Sequence, residues 1–279
     1  MLYRNKERRG APWVAALAFL APGACSAEPA TKTSPVSSAP SIKLTGRIDA
    51  TSLQAFKRGL SPQTERLIIN SAGGRSPEAM ELGSLVRSLG LEVVVDGVCL
   101  SACAHFVFIP AKRKRLEPNS VVAFHQTATA LSRLLLASGR QDLAAFYLPV
   151  AENEQAFYKS AGISTKLLNE PYRELNPICY QEQTGAPQGS EYQTAFFSQT
   201  SFYVPALSDL YGFGVGPIQG YWPSSTSDIG KAVARYPRKL NLSFKMKLAT
   251  SGRDVTYQPK ALPKCPEEPM YQLPRRPVP

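Results

Sequence analysis

An α/β fold with mainly parallel strand pairing is predicted by three observations. Short runs of β-branched and aliphatic residues, at 66–70, 91–96 and 120–125, have the length and composition of buried strands. The stretches between them carry apolar residues at helical spacing. The joints carry turn and cap chemistry, above all Ser76-Pro77-Glu78 and the glycines at 73, 74, 90 and 97. Strands that alternate with helices in this way pack as helices over a sheet.

The elements follow in order. Ile42 to Ile48 alternates apolar and polar residues, as a half-buried strand does, and Ala50 to Gly59 has a helical pattern. Arg66 to Asn70 is a short strand that ends in the turn Ser71-Ala-Gly-Gly74. A helix starts at Ser76-Pro77-Glu78, with serine as N-cap and proline at the first helical position. It buries Ala79, Met80, Leu82, Leu85, Val86 and Leu89, and Gly90 closes it. Leu91 to Asp96 is the next strand. The small residues from Gly97 to Cys103 then predict a tight turn into a buried helix over Ala104 to Ile109.

Lys112-Arg-Lys-Arg115 reads as a solvated basic loop, and Ser120 to His125 as a strand. Residues 128–161 are helical and amphipathic, and 162–180 form a helix–loop segment. Beyond about residue 184 the pattern weakens into an irregular, strand-containing extension, 185–279, whose last residues from Leu262 are proline-rich. The folded domain is therefore expected over 42–184.

The N-terminus reads as a targeting signal. A basic segment, Tyr3 to Gly10, precedes a short apolar one, Ala11 to Ala21, and the small residues Gly23-Ala-Cys-Ser-Ala27 suit signal peptidase. Residues 1–27 are thus expected to be a signal peptide and 28–41 a linker rich in Pro, Ser, Thr and Ala. A periplasmic or secreted protein follows, with no membrane span in the mature chain. Cys25 offers a second route, a lipidated N-terminal cysteine, although Pro22 stands where such signals carry leucine.

Of 279 residues, 43% are hydrophobic, and the net charge is +11. Nucleic acid is not the expected partner, because no aromatic-interleaved or helical basic motif accompanies the charge. Loss of the signal leaves Cys99, Cys103, Cys179 and Cys265, an even count that suggests disulfides in an exported chain, with three connectivities open. Zinc is disfavoured by two histidines and no Cys-x-x-Cys pair, so no metal or cofactor is expected.

The chemistry centres on Ser101. A serine at a strand-to-helix turn has backbone N–H groups beside it, and it suits either a helix N-cap or a nucleophile. Companions favour the nucleophile. His125, at the end of a strand, is a candidate general base and then acid. Gly73 and Gly74 allow backbone N–H groups to approach a carbonyl closely, and the N–H of Ala102 supplies a second oxyanion donor. His105, within the apolar helix, is read as a packed core residue.

Asn70-Ser-Ala-Gly-Gly74, Gly97-Val-Cys-Leu-Ser101-Ala102 and Phe124-His125-Gln126 together resemble the three core motifs of Clp-type serine peptidases, in the ClpP/crotonase superfamily. The likeness is greatest to exported, Clp-like periplasmic proteins, which also carry cysteines flanking the serine. The resemblance covers roughly residues 42–180. It implies a repeated β-β-α superhelix, a Ser101–His125–acid triad, a peptide or protein substrate and room for a homo-oligomer. The family's acid is an aspartate after the histidine. Glu174, 49 residues past His125, occupies that position here, with Glu170 in reserve. An acyl-CoA enzyme of crotonase type is disfavoured by the export signal and by the serine–histidine pair. The chain is therefore expected to be an exported, ATP-independent serine endopeptidase, and a non-catalytic binding protein of the same fold is the alternative.

Overall fold

In the computed structural model, the chain builds a parallel sheet in the order β1 (Ser41–Thr45), β2 (Arg66–Ser71), β3 (Glu92–Leu100), β4 (Arg113–Leu116) and β9 (Gln219–Gly220), with β5 (Val121–Ala123) joined to β3. The structure describes residues 40–175, 201–240 and 242–247, together with the backbone of strands at 178–183 and 192–197. The predicted signal segment, Cys25, Cys265, the Cys179 side chain and the proline-rich tail lie outside the described residues.

Strand β1 (Ser41–Thr45) leads into α1 (Ala50–Gly59), where Asp49 and Ser52 form a reciprocal capping box. Strand β2 (Arg66–Ser71) is followed by α2 (Ser76–Ser88), with Pro77 in its first turn. The expected cap is displaced by one residue: Arg75 holds the N-cap position, makes no side-chain cap bond, and pairs with Glu78 instead.

Strand β3 (Glu92–Leu100) runs further than the apolar pattern suggested. Gly97, at φ +119°, lies against the Asn70 amide, which accepts the Val98 N–H at 3.0 Å. The strand thereby passes through a register shift and exchanges neighbours. Its first half pairs with β4 (Arg113–Leu116) and its second half with β5 (Val121–Ala123), all in parallel. The expected turn over 97–103 shrinks to Ser101 and Ala102, which caps a buried π-helical turn, Cys103–Phe108.

The basic run is not a solvated loop. Its last three residues lie in strand β4, where hydrogen bonding absorbs their charge, while Lys112 stays exposed ahead of the strand. Arg113 donates to the Gly90 carbonyl, the buried Lys114 to that of Gly216, and Arg115 to Glu92 and Gln219. Burial pushes the Lys114 ammonium down to about 8.

The predicted helical stretch 128–161 is two antiparallel helices, α3 (Ala128–Ala137) and α4 (Gln141–Ala161), turning at Gly139. The buried Glu154 of α4 accepts the N–H groups of Ala128 and Thr129 at the start of α3. A short turn at Thr165–Leu168 leads to α5 (Glu170–Leu175), and a hairpin pairs β6 (Ile178–Gln183) with β7 (Tyr192–Phe197).

The residues after 200 join the core. Strand β8 (Phe202–Val204) exchanges two backbone bonds with Phe124, at 2.8 and 2.7 Å, and pairs in parallel with β10 (Phe244–Met246). Between them lie α6 (Leu207–Gly212), β9 (Gln219–Gly220) and α7 (Thr226–Ala234). One apolar cluster gathers the sheet with α1, α2, the π-turn and Tyr158 of α4. A second covers Val98, Leu100, Val121 and Ala123 with Phe202, Val204, Ile229 and Ala232. A parallel strand needs cover on both faces, and the C-terminal residues supply the second cover for β3 and β5. The α/β class predicted from sequence is the class observed, whereas the boundary placed after residue 184 is not where the core ends.

Candidate active site

Three parallel strands end together: β2 at Ser71, β3 at Leu100 and β5 at Ala123. In α/β sheets, ligands bind beyond the carboxyl ends of strands. Ser101 follows β3 directly and has φ +56°, a left-handed conformation that is uncommon for a side-chain-bearing residue. Its N–H donates to the Ala123 carbonyl at 3.0 Å, and its carbonyl accepts from the His105 N–H at 3.0 Å. A Cys99–Cys103 disulfide spans the turn. Hydrogen bonds on either side and a covalent bridge thus hold the strained residue in place.

Two residues past β5, the His125 ring meets this serine, with Ser101 Oγ 2.5 Å from Nε2. The fold thus brings together the serine and the histidine expected to work as a pair. The ring packs against Phe202, 5.0 Å between centroids. Burial pushes the imidazole down to about 4. At neutral pH His125 is therefore uncharged, and its Nε2 is free to accept the serine proton.

Gly73 lies under the nucleophile. A Cβ placed there would come within 2.6 Å of the Leu100 carbonyl oxygen, 2.7 Å of Ser101 Cβ and 3.1 Å of the Ala102 nitrogen. Its φ of +94° also favours glycine. The two glycines have different tasks. The Gly73 N–H already donates to Ser71 Oγ at 3.1 Å, so it is not an open oxyanion donor. Gly74 packs on the Ile48 backbone in a bridge, and Ile48 N donates to the Gly73 carbonyl at 2.9 Å. Among the described residues, the N–H groups of Gly74 and Ala102 donate to no other backbone carbonyl in the turns and connections around the site.

The expected acid is not on the histidine. Among the described residues, no hydrogen bond joins His125 to Glu174 or Glu170. The Glu174 carboxylate pairs with Arg173 and Lys245, each at 3.5 Å, and Lys245 Nζ also donates to the Glu174 carbonyl. Glu170 is buried against Arg173 at 2.6 Å. Burial is also the cause found for the lowered His125 pKa, with no carboxylate raising it. The physical reason is the cations around the acids: α5 puts both within a turn of Arg173, and β10 brings up Lys245 as a further cation.

Of the cysteines read from sequence, Cys99 and Cys103 pair with each other. Among the described residues, no group of three or more His, Cys, Asp and Glu side chains is gathered for a metal, and no helix is long and apolar enough to cross a membrane.

Near the site, Phe202 carries no sequence signal, and His105 does more than the core packing expected of it. Phe202 reaches His125 from a strand 77 positions away, and nothing local marks it. His105 is buried as its apolar surroundings predict, yet both of its ring nitrogens are hydrogen-bonded. Its spacing of four residues from Ser101, in a chain with two histidines, was the signal available.

No protein-family profile matches the chain, and no curated protein matches it. Among solved structures, the chain is similar to a point mutant of ClpP1 from Listeria monocytogenes, at 16% identity and a TM-score of 0.34, over 47% of this chain and 78% of that one. It is also similar to the ClpP protease catalytic domain from Plasmodium falciparum, at 15% identity and a TM-score of 0.34, over 47% of this chain and 71% of that one.

Proposed function

We propose that the protein is a serine hydrolase of Clp-peptidase type that cleaves peptide bonds without ATP, working with a Ser101–His125 pair. The observation that carries the reading is the 2.5 Å contact of Ser101 Oγ with His125 Nε2, made by a serine held at positive φ. In this reading Ser101 Oγ attacks the carbonyl carbon while His125 Nε2 takes its proton. The same nitrogen then returns the proton to the leaving amine, and water releases the acyl group by the same route. The oxyanion is received by the N–H groups of Ala102 and Gly74.

The substrate is a peptide or a loosely folded segment. An exported chain, as the N-terminal signal suggests, has no ATP-driven unfoldase beside it. A homo-oligomer is compatible with this reading and not required by it.

A fluorophosphonate probe tests the proposal, since an activated serine displaces fluoride and retains the phosphonyl group. The wild-type protein should label on Ser101, and Ser101→Ala should abolish labelling. Wild-type protein that stays unlabelled, or a Ser101→Ala variant that still labels, would overturn the reading. Among the described residues no carboxylate holds His125, which favours the second reading, a binding protein that retains the fold. The unlabelled wild type is its expected result.

A further inference from the structure

Resting on the hydrolase reading, we propose that His105 is a positioning residue that sets the separation between Ser101 and His125. It does so by bonding to the backbone of both.

The first bond belongs to the main chain. The His105 N–H donates to the Ser101 carbonyl at 3.0 Å and closes the turn that carries the nucleophile. The second belongs to the side chain. His105 Nε2 lies 3.3 Å from the carbonyl oxygen of His125. A carbonyl oxygen only accepts, so Nε2 carries the hydrogen. One residue thus holds the backbones of nucleophile and base at once, from opposite ends.

The ring's orientation is itself fixed. His105 Nδ1 lies 3.0 Å from the Tyr158 hydroxyl of α4. His105 is 2% exposed and Tyr158 fully buried, so neither group finds water. Burial holds the imidazole down to about 3 and raises the Tyr158 phenol well above its usual value, leaving both neutral. A neutral imidazole that donates from Nε2 must accept at Nδ1, so Tyr158 O–H donates. The Phe124 ring stands edge-on to His105, 4.9 Å between centroids, and leaves little room for a flip. The chain Tyr158 O–H to His105, and His105 N–H to the His125 carbonyl, therefore has one direction and one tautomer. It runs from α4 through the π-turn to the end of β5.

This arrangement bears on a gap in the site. Among the described residues no carboxylate holds the His125 ring, so its placement depends on its backbone and on Phe202. A shift of about 1 Å between reacting groups is enough to cost about a hundredfold in rate.

Glutamine places an amide N–H near the position of Nε2, whereas asparagine, one methylene shorter, falls short of the His125 carbonyl. Fluorophosphonate inactivation kinetics should therefore separate the two. His105→Gln should stay within about tenfold of the wild-type maximal rate. His105→Asn should fall about a hundredfold with the half-saturating probe concentration unchanged. Equal rates for the two variants would overturn the proposal. Should His105→Asn fail to fold, Tyr158→Phe decides: deleting one oxygen should slow inactivation about tenfold, and a wild-type rate would refute the chain. An unlabelled wild type would defeat the hydrolase reading without touching the geometry. Imidazole 15N NMR then reads the positioning directly on untagged protein with two histidines. The Nε2 signal of His125 should move in His105→Asn and stay in His105→Gln, and no movement in either would overturn the proposal.

Discussion

Substituting alanine for Gly73 should remove the nucleophile from reach of its base, and Gly46 provides a matched control for the magnitude. Both glycines have φ near +100°, +94° at Gly73 and +102° at Gly46. A side chain in the left-handed region costs about 1–2 kcal/mol at either position. At Gly46 a new Cβ meets nothing within 4 Å, so strain is the whole cost. At Gly73 the Cβ meets the Leu100 oxygen at 2.6 Å and Ser101 Cβ at 2.7 Å. The Leu100 oxygen is backbone, and the Cys99–Cys103 bridge spans the turn, so neither side can yield cheaply. Overpacking of this kind adds about 1–3 kcal/mol. Thermal unfolding followed by circular dichroism should show Gly46→Ala losing about 2–8 °C and Gly73→Ala about twice that. The probe assay should show Gly46→Ala labelling as wild type and Gly73→Ala slowed by about a hundredfold or more, as the displaced turn carries Ser101 away from His125. A folded Gly73→Ala protein that labels at the wild-type rate would refute the placement of Gly73 beneath the nucleophile.

Two further predictions concern charge. Glu174→Gln should change the probe rate by no more than about threefold, because its carboxylate serves Arg173 and Lys245 rather than His125; loss of an acid that oriented the base would cost about 10⁴-fold, so a drop of that size in the same kinetics would restore the triad. Stability should fall with acid below about pH 6.5. The unfolded chain then binds protons on His105 and His125 that the fold excludes down to about 3 and about 4. Stability from these groups is complete above pH 6.5 and is lost as pH falls, at roughly 1.4 kcal/mol per pH unit for each histidine. Urea unfolding at pH 7, 6 and 5 should show this slope, and His105→Gln should halve it; a flat profile would mean that the rings are not held neutral.

What the sequence made legible was local. The helix over 50–59 is recovered to the residue because its helical pattern is local, as is the Asp49–Ser52 capping box that starts it. The placement of Ser101 was legible because a buried strand and small residues surround it, and that of His125 because it ends the next predicted strand. The basic run failed for the opposite reason. Four cations in a row look solvated until the carbonyls of Gly90 and Gly216 and the Glu92 carboxylate are placed around the last three, and those partners are distant in sequence, Gly216 by 102 positions from Lys114. Glu174 failed by the same logic, since sequence spacing fixed its place on α5 but not the arrival of Lys245 from β10, 71 positions away. The C-terminal residues are the largest case. Strands β8 and β10 are three residues long, too short for periodicity to register; β8 is a strand because the chain past β5 offers a backbone edge at Phe124 and an apolar face to cover, and β10 pairs with β8 in turn. That cover changes the chemistry as well as the packing. Phe202 packs on the His125 ring, and a desolvated imidazole, held by no carboxylate among the described residues, stays neutral far below pH 7. The base is therefore always available but weak, because proton transfer is favoured most when the base titrates near the working pH. A pair built this way depends more on where its two atoms stand than on how basic one of them is, and so on the backbone contacts of Ser101 and His125 rather than on an acid behind the ring.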